Sequence, residues 1–115
     1  MTEREIQKRI VQRLKDLGLL FLHVPNEAKR NPRTAALLKS MGMRRGAPDL
    51  LIFDSPFDGS KGLALEVKTE KGKTSIYQEL YLSSMRERGW KAEVGKGLIE
   101  CERIIEMNYS ERDEQ

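Results

Sequence analysis

Apolar residues recur at helical spacing at Ile6, Ile10, Leu14 and Leu17, which predicts a helix over Thr2–Leu17. Thr2 with Glu5 fits a capping box, and Gly18 supplies the stop. At about 100° per residue, Glu3 falls on the apolar stripe of this helix and Glu5 points away from it. The run LLFLHV, Leu19–Val24, predicts a strand; Pro25 to Arg33 predicts a loop, and Arg33–Met41 a short helix before Gly42. After the turn-rich GMRRGAP come a strand over Asp49–Asp54, the turn SPFDGSKG and the strand LALEVK, Leu63–Lys68, which together predict an antiparallel hairpin with a long loop. Ser75–Arg88 reads as a helix with Tyr77, Leu80, Tyr81 and Met85 on one stripe, a Ser75–Gln78 capping box and a stop at Gly89. A strand over Trp90–Val94 and a helix over Leu98–Asn108, with Leu98, Cys101 and Ile105 inward, complete the pattern. This order predicts an α/β fold, a small mixed β-sheet flanked by helices.

Within LALEVK the alternation puts Leu63, Leu65 and Val67 on one face and Ala64, Glu66 and Lys68 on the other. Either Glu66 and Lys68 form an ion pair on an ordinary strand, or their face looks into a site. In an antiparallel hairpin the start of one strand lies beside the end of the other, so Asp49, Glu66 and Lys68 can meet at one end of the sheet. Two carboxylates there repel unless a cation lies between them. Oxygen ligands favour a hard divalent ion such as Mg²⁺ or Mn²⁺. A nearby lysine can hold the attacking water or a phosphate. The plainer reading makes Asp49 a turn residue after Pro48, and Glu66–Lys68 a solvated pair worth well under ~1 kcal/mol.

Charge sharpens this picture. The chain of 115 residues suits one domain with one core, and its formal net charge is only +3. Between Glu27 and Gly46, however, stand six basic residues (Lys29, Arg30, Arg33, Lys39, Arg44, Arg45) and one acid. A basic segment just before a candidate site suits a polyanionic substrate, and Lys29, Arg30, Arg33, Arg44 and Arg45 are the candidate DNA contacts. The alternative is a solvated face. From Leu98 onward the balance reverses, with six acids against two basic residues, and the acidic tail from about residue 109 is expected to fray. The lone cysteine, Cys101, excludes an intrachain disulfide, argues against a cysteine zinc site and reads as core. No apolar leader and no run of roughly 20 apolar residues appears, so a soluble, cytoplasmic protein is expected. His23, the only histidine, reads as packed or hydrogen-bonded rather than as a ligand.

Pro48-Asp49 followed by Glu66-Val67-Lys68 reproduces the PD…ExK motif of the PD-(D/E)XK nuclease superfamily. With Glu3 before Ile6-Gln7, Gly42 and Gly46 before Ala47-Pro48-Asp49, and Gln78 on a downstream helix, the chain resembles the VRR-NUC family from about Thr2 to Val94. It looks like a stand-alone, phage-type member, one domain over residues 1–115. The resemblance implies a restriction-endonuclease-like core in which Asp49 and Glu66 bind metal and the Val67 carbonyl is a further ligand. It implies that Lys68 is the catalytic lysine, Gln78 the glutamine on the helix behind the site and Glu3 the acid of the first helix, reaching the metal through water. It further implies a Mg²⁺-dependent DNA endonuclease, with Mn²⁺ substituting and no organic cofactor, that leaves 5′-phosphate and 3′-hydroxyl ends. Single-domain members look like homodimers acting on branched DNA such as four-way (Holliday) junctions. Asn26 and a basic insertion stand where some relatives carry an Asn-Ser-Gly-like turn. Two rivals stay open: a DNA-binding module with the nuclease fold and no turnover, and a restriction-type endonuclease.

Overall fold

The computed structural model describes residues 1–25 and 31–110. The elements are α1 (Glu3–Asp16), β1 (Phe21–His23), α2 (Pro32–Ser40), β2 (Leu50–Ile52), β3 (Leu63–Lys68), α3 (Ile76–Glu87), β4 (Lys91–Lys96) and α4 (Leu98–Tyr109). They build a four-stranded mixed sheet of order β1-β2-β3-β4, flanked by helices as the pattern predicts. β1 pairs antiparallel with β2, and β2 antiparallel with β3, which is the expected hairpin. β4 lies parallel to β3, a step that requires a crossover, and α3 supplies it.

Both predicted capping boxes form. Thr2 accepts from Glu5 N–H while Glu5 accepts from Thr2 N–H, and Ser75 and Gln78 do the same at the start of α3. The stripe Ile6, Ile10, Leu14 is buried against Leu63, Leu65 and Val67 of β3 and Cys101 and Ile105 of α4. On the other face, Ala64 of β3 joins Leu82 and Ala92. Strand β3 is therefore covered on both faces rather than half-buried, because α3 roofs the side that alternation alone assigns to solvent.

The α3 stripe is rotated from its expected position. Leu82 is the buried residue, whereas Tyr77 is 44% and Leu80 58% exposed. The sheet-facing position one turn before Leu82 belongs to a polar residue, Gln78, which hid the true stripe. Helix α4 runs through Tyr109, whose hydroxyl donates to the Asp54 carbonyl at 2.9 Å. Of the tail expected to fray from about residue 109, Tyr109 belongs to α4, and residues 111–115 lie outside the described residues, as do Asn26, Lys29 and Arg30. Among the described residues no helix is long and apolar enough to cross a membrane.

The register places the ends of the hairpin. Pairing between β2 and β3 stops at Leu50↔Leu65, so Asp49 lies just before the paired residues. Beyond that point Glu66, Val67 and Lys68 pair with Val94, Gly95 and Lys96 of β4. The loop that delivers Asp49 is pressed onto α3 at Gly46, which has φ +85°. A Cβ there would overlap the Tyr77 carbonyl and come within 2.9 Å of the Gln78 nitrogen.

Gly42 also has positive φ, 109°, but a Cβ added there meets nothing within 4 Å. Gly42→Ala is expected to lose about 1–2 kcal/mol, the strain of an L-residue in that backbone region. Gly46→Ala should lose more, since the loop must also leave α3. Urea denaturation of the two variants checks the order, and an equal loss would show that the contact is not tight.

Candidate active site

Strand β3 carries Glu66 under α3, where it is only 2% exposed. Asp49 reaches the same place from the start of β2, and its Oδ2 accepts the Val67 N–H at 2.7 Å. The two carboxyl groups lie near enough for the charge of Asp49 to bear on Glu66. Lys68, two residues on along the same face of β3, puts Nζ 3.4 Å from Glu66 Oε2, with its side chain 11% exposed. The Gln78 amide Nε2 donates to that same oxygen at 2.8 Å, while Oε1 of the same amide accepts the Ser75 N–H at 2.8 Å. Capping and site contact are thus one geometry: the cap turns the amide so that its donor end faces Glu66.

Electrostatics follows from burial. Desolvation, reinforced by the neighbouring Asp49, pushes the Glu66 carboxyl up to about 8, against the smaller opposing pull of Lys68. Asp49 is raised as well, first by desolvation, with the Val67 N–H opposing and the Glu3 charge adding to the rise. Glu66 Oε1 is buried and has no hydrogen-bond partner. A buried carboxylate oxygen without a donor, beside a second carboxylate, is an arrangement that a hard cation relieves. The donor set therefore fits a divalent metal. Among the described residues no three His, Cys, Asp or Glu side chains converge on one point, so the protein's own side-chain ligands there would be Asp49 and Glu66.

The remaining candidates sit further out. Glu3 is exposed in the first turn of α1, with Ile6 and Ile10 buried on the turns that follow. It is therefore exposed rather than on the buried stripe itself, and its charge adds to the rise at Asp49. Glu5 is spent on the α1 cap, with Oε1 accepting the Thr2 N–H at 2.8 Å. Arg33 and Arg44 are exposed at the start of α2 and in the loop after it. Arg45 lies over the Tyr77 ring, 3.9 Å from its centroid. Lys29 and Arg30 lie outside the described residues.

His23 is hydrogen-bonded beside the site, as the sequence predicts. His23 Nδ1 lies 2.9 Å from Gln7 Nε2 and 3.0 Å from the Asp49 carbonyl, so β1 touches the backbone that positions the acid and α1 touches β1 at that point. The only sequence signal for its partners was Gln7, four residues after Glu3 and so on nearly the same face of α1.

A family model for the VRR-NUC domain matches residues 1–98. The chain belongs to the VRR-NUC family. Two solved structures are similar to this VRR-NUC chain. One, described as a VRR-NUC domain protein, superposes with a TM-score of 0.78 at 24% identity, over 94% of this chain and 88% of that one. The other, described as a VRR-NUC domain, gives a TM-score of 0.64 at 26% identity, over 92% of this chain and 97% of that one. No curated protein matches the chain. The VRR-NUC domain is a nuclease-type fold, and the meeting of Asp49, Glu66, Lys68 and Gln78 lies within the matched residues.

Titration gives a direct check on the buried pair. The Glu66 carboxyl binds its proton more tightly folded, at about 8, than at its ordinary 4.5, so this group's contribution is greatest below about 4.5 and is lost as pH rises towards 8. In EDTA the thermal midpoint should fall across that window. Glu66→Gln should flatten the fall, and Mg²⁺ or Mn²⁺ should raise the midpoint of the parent more at the alkaline end than at the acid end. A parent midpoint that does not move with pH would contradict a buried carboxyl pair.

Proposed function

We propose that this VRR-NUC chain is a divalent-metal-dependent DNA endonuclease that hydrolyses phosphodiester bonds. The observation that carries the reading is the buried Glu66 carboxylate with its unpartnered oxygen, and the half-buried Asp49 and Lys68 beside it. Asp49 and Glu66, with the Val67 carbonyl, are the residues that would hold Mg²⁺, with Mn²⁺ substituting. When bound, the ion neutralises charge on the scissile phosphate and eases deprotonation of water.

The chain's own groups do the rest. Lys68 Nζ, anchored 3.4 Å from Glu66 Oε2, keeps its remaining donors for the attacking water or a phosphate oxygen. Gln78 holds the Glu66 carboxylate in one orientation, and the Val67 N–H holds Asp49. Roofing by α3 limits competing water around both acids. Glu3 at the rim orients a water on the outer side of Asp49. The basic residues Arg33, Arg44 and Arg45, together with Lys29 and Arg30, track the phosphate backbone. Cleavage leaves 5′-phosphate and 3′-hydroxyl ends. The substrate class is branched DNA, including four-way junctions, cut by a homodimer whose two sites are related by a two-fold axis that suits a substrate of the same symmetry.

The decisive experiment is cleavage of labelled duplex, single-strand, flap, splayed-arm and four-way-junction DNA with Mg²⁺, Mn²⁺ or EDTA. Branched substrates are expected to be cut with either metal and not in EDTA. Asp49→Ala and Glu66→Ala should each bring cutting to background while binding survives. Cutting that continues in EDTA would refute the mechanism, and binding without cutting under every condition would favour a silent DNA-binding module.

The two acids of the first turn provide a sharper test. Glu3→Gln removes charge at the rim and should depress cleavage strongly with little change in thermal midpoint. Glu5→Gln can still close the capping box and should alter neither. A larger loss of cleavage at Glu5 would place the wrong acid at the site.

Neutralising Arg33 or Arg44 singly should weaken binding alike across sequences and reduce the salt slope by about one. A change in sequence preference from either variant would instead indicate direct reading of bases.

A further inference from the structure

Arg45 departs from the other basic residues of its segment in one respect: its guanidinium is laid on an aromatic ring, with Cζ 3.9 Å from the Tyr77 centroid. The pair is fixed from below. Gly46, the next residue, meets the backbone of Tyr77 and Gln78 so closely that no side chain fits there. Gln78, the residue after Tyr77, donates to Glu66 at 2.8 Å. Each member of the stacked pair is thus next in the chain to a residue of this support, and Tyr77 adjoins the residue that contacts the buried Glu66 carboxylate.

The pair also faces solvent. Arg45 is exposed, Tyr77 is 44% exposed, and the neighbouring Ile76 and Leu80 are 64% and 58% exposed. Among the described residues no carboxylate forms an ion pair with Arg45. A phosphate counter-charge does not require an aromatic partner. A planar cation on an aromatic ring is, by contrast, a stacking surface, and every nucleobase presents a π-face that such a surface accepts whatever its identity. Bases inside a duplex have both faces covered by their neighbours. An unpaired base at a branch or a splayed end has one to offer.

We infer that Arg45 and Tyr77 form a stacking platform for an unpaired nucleobase next to the scissile phosphate, and that this platform is what favours branched over continuous DNA. The inference rests on the endonuclease reading above and names the substrate feature recognised at that site.

The test is run in EDTA, so that it reads binding and not cleavage. A splayed-arm oligonucleotide carries 2-aminopurine at the first unpaired position, and a fully paired duplex carries it internally. The parent is expected to quench the fluorescence of the unpaired base. Tyr77→Leu should remove the quench and lower affinity for the splayed arm by about tenfold relative to duplex, the scale of one base–aromatic contact. Tyr77→Phe should restore both. Arg45→Ala should lose the quench as Tyr77→Leu does, and Arg45→Lys, which keeps charge without a plane, should quench poorly too. Equal loss on the two DNAs from Tyr77→Leu would overturn the platform and make the pair a phosphate contact. An unpaired base that the parent leaves unquenched would overturn it as well. Absence of cleavage with Mg²⁺ in a separate assay would count against the endonuclease reading while leaving the stacking result to be judged by itself.

Discussion

A carboxyl group buried under a helix, beside a second carboxyl, is the constraint around which this molecule is arranged. Left alone, such a pair opposes folding, because each ionised acid is taken from water and set against the other. Every contact around Glu66 and Asp49 reduces that penalty: the Val67 N–H on Asp49, and the Gln78 amide and Lys68 ammonium on Glu66. The compensation is incomplete by one buried oxygen. A fold could remove the penalty with apolar residues at both positions. Retaining the acids makes sense where something positively charged comes to occupy the space between them.

The site is coupled to local folding through Gln78. Its carbonyl end belongs to the first turn of α3, and its amino end belongs to Glu66. Fraying of that turn would release the carboxylate. The loop entering β2 leans on the same turn at Gly46, so the acid on one strand and the glutamine on the following helix share a support. Rigidity here is a property of backbone-to-backbone approach, which only glycine permits.

Much of this was legible in the sequence. Helix α1 declared itself by spacing and cap, the hairpin by its two apolar runs, and the meeting of Asp49 with Glu66 and Lys68 by hairpin geometry. Three things were not legible, each for a physical reason. Alternation in LALEVK cannot reveal whether a second layer covers the polar face; the roof comes from a crossover helix and a parallel strand, both non-local. The α3 stripe was misassigned because a glutamine that caps the helix and bonds Glu66 stands where packing alone would put an apolar residue. His23 was legible as a hydrogen-bonded residue but its partners were not, since its contact with the Asp49 carbonyl depends on pairing across the long interval between β1 and β2, for which no local pattern exists.

The hydrogen bond from Val67 to Asp49 has one more consequence. Beyond Leu65, strand β3 has lost β2 as a partner, and a side-chain oxygen takes the place of a main-chain carbonyl in receiving the next amide. That amide proton therefore samples the charge of the acid directly, through a single 2.7 Å contact. In a nitrogen–proton correlation spectrum its resonance is a built-in reporter, shifting when Asp49 gains or loses a proton or acquires a cation. Occupancy of the site can thus be followed at one assigned peak, with no label attached and no catalysis needed.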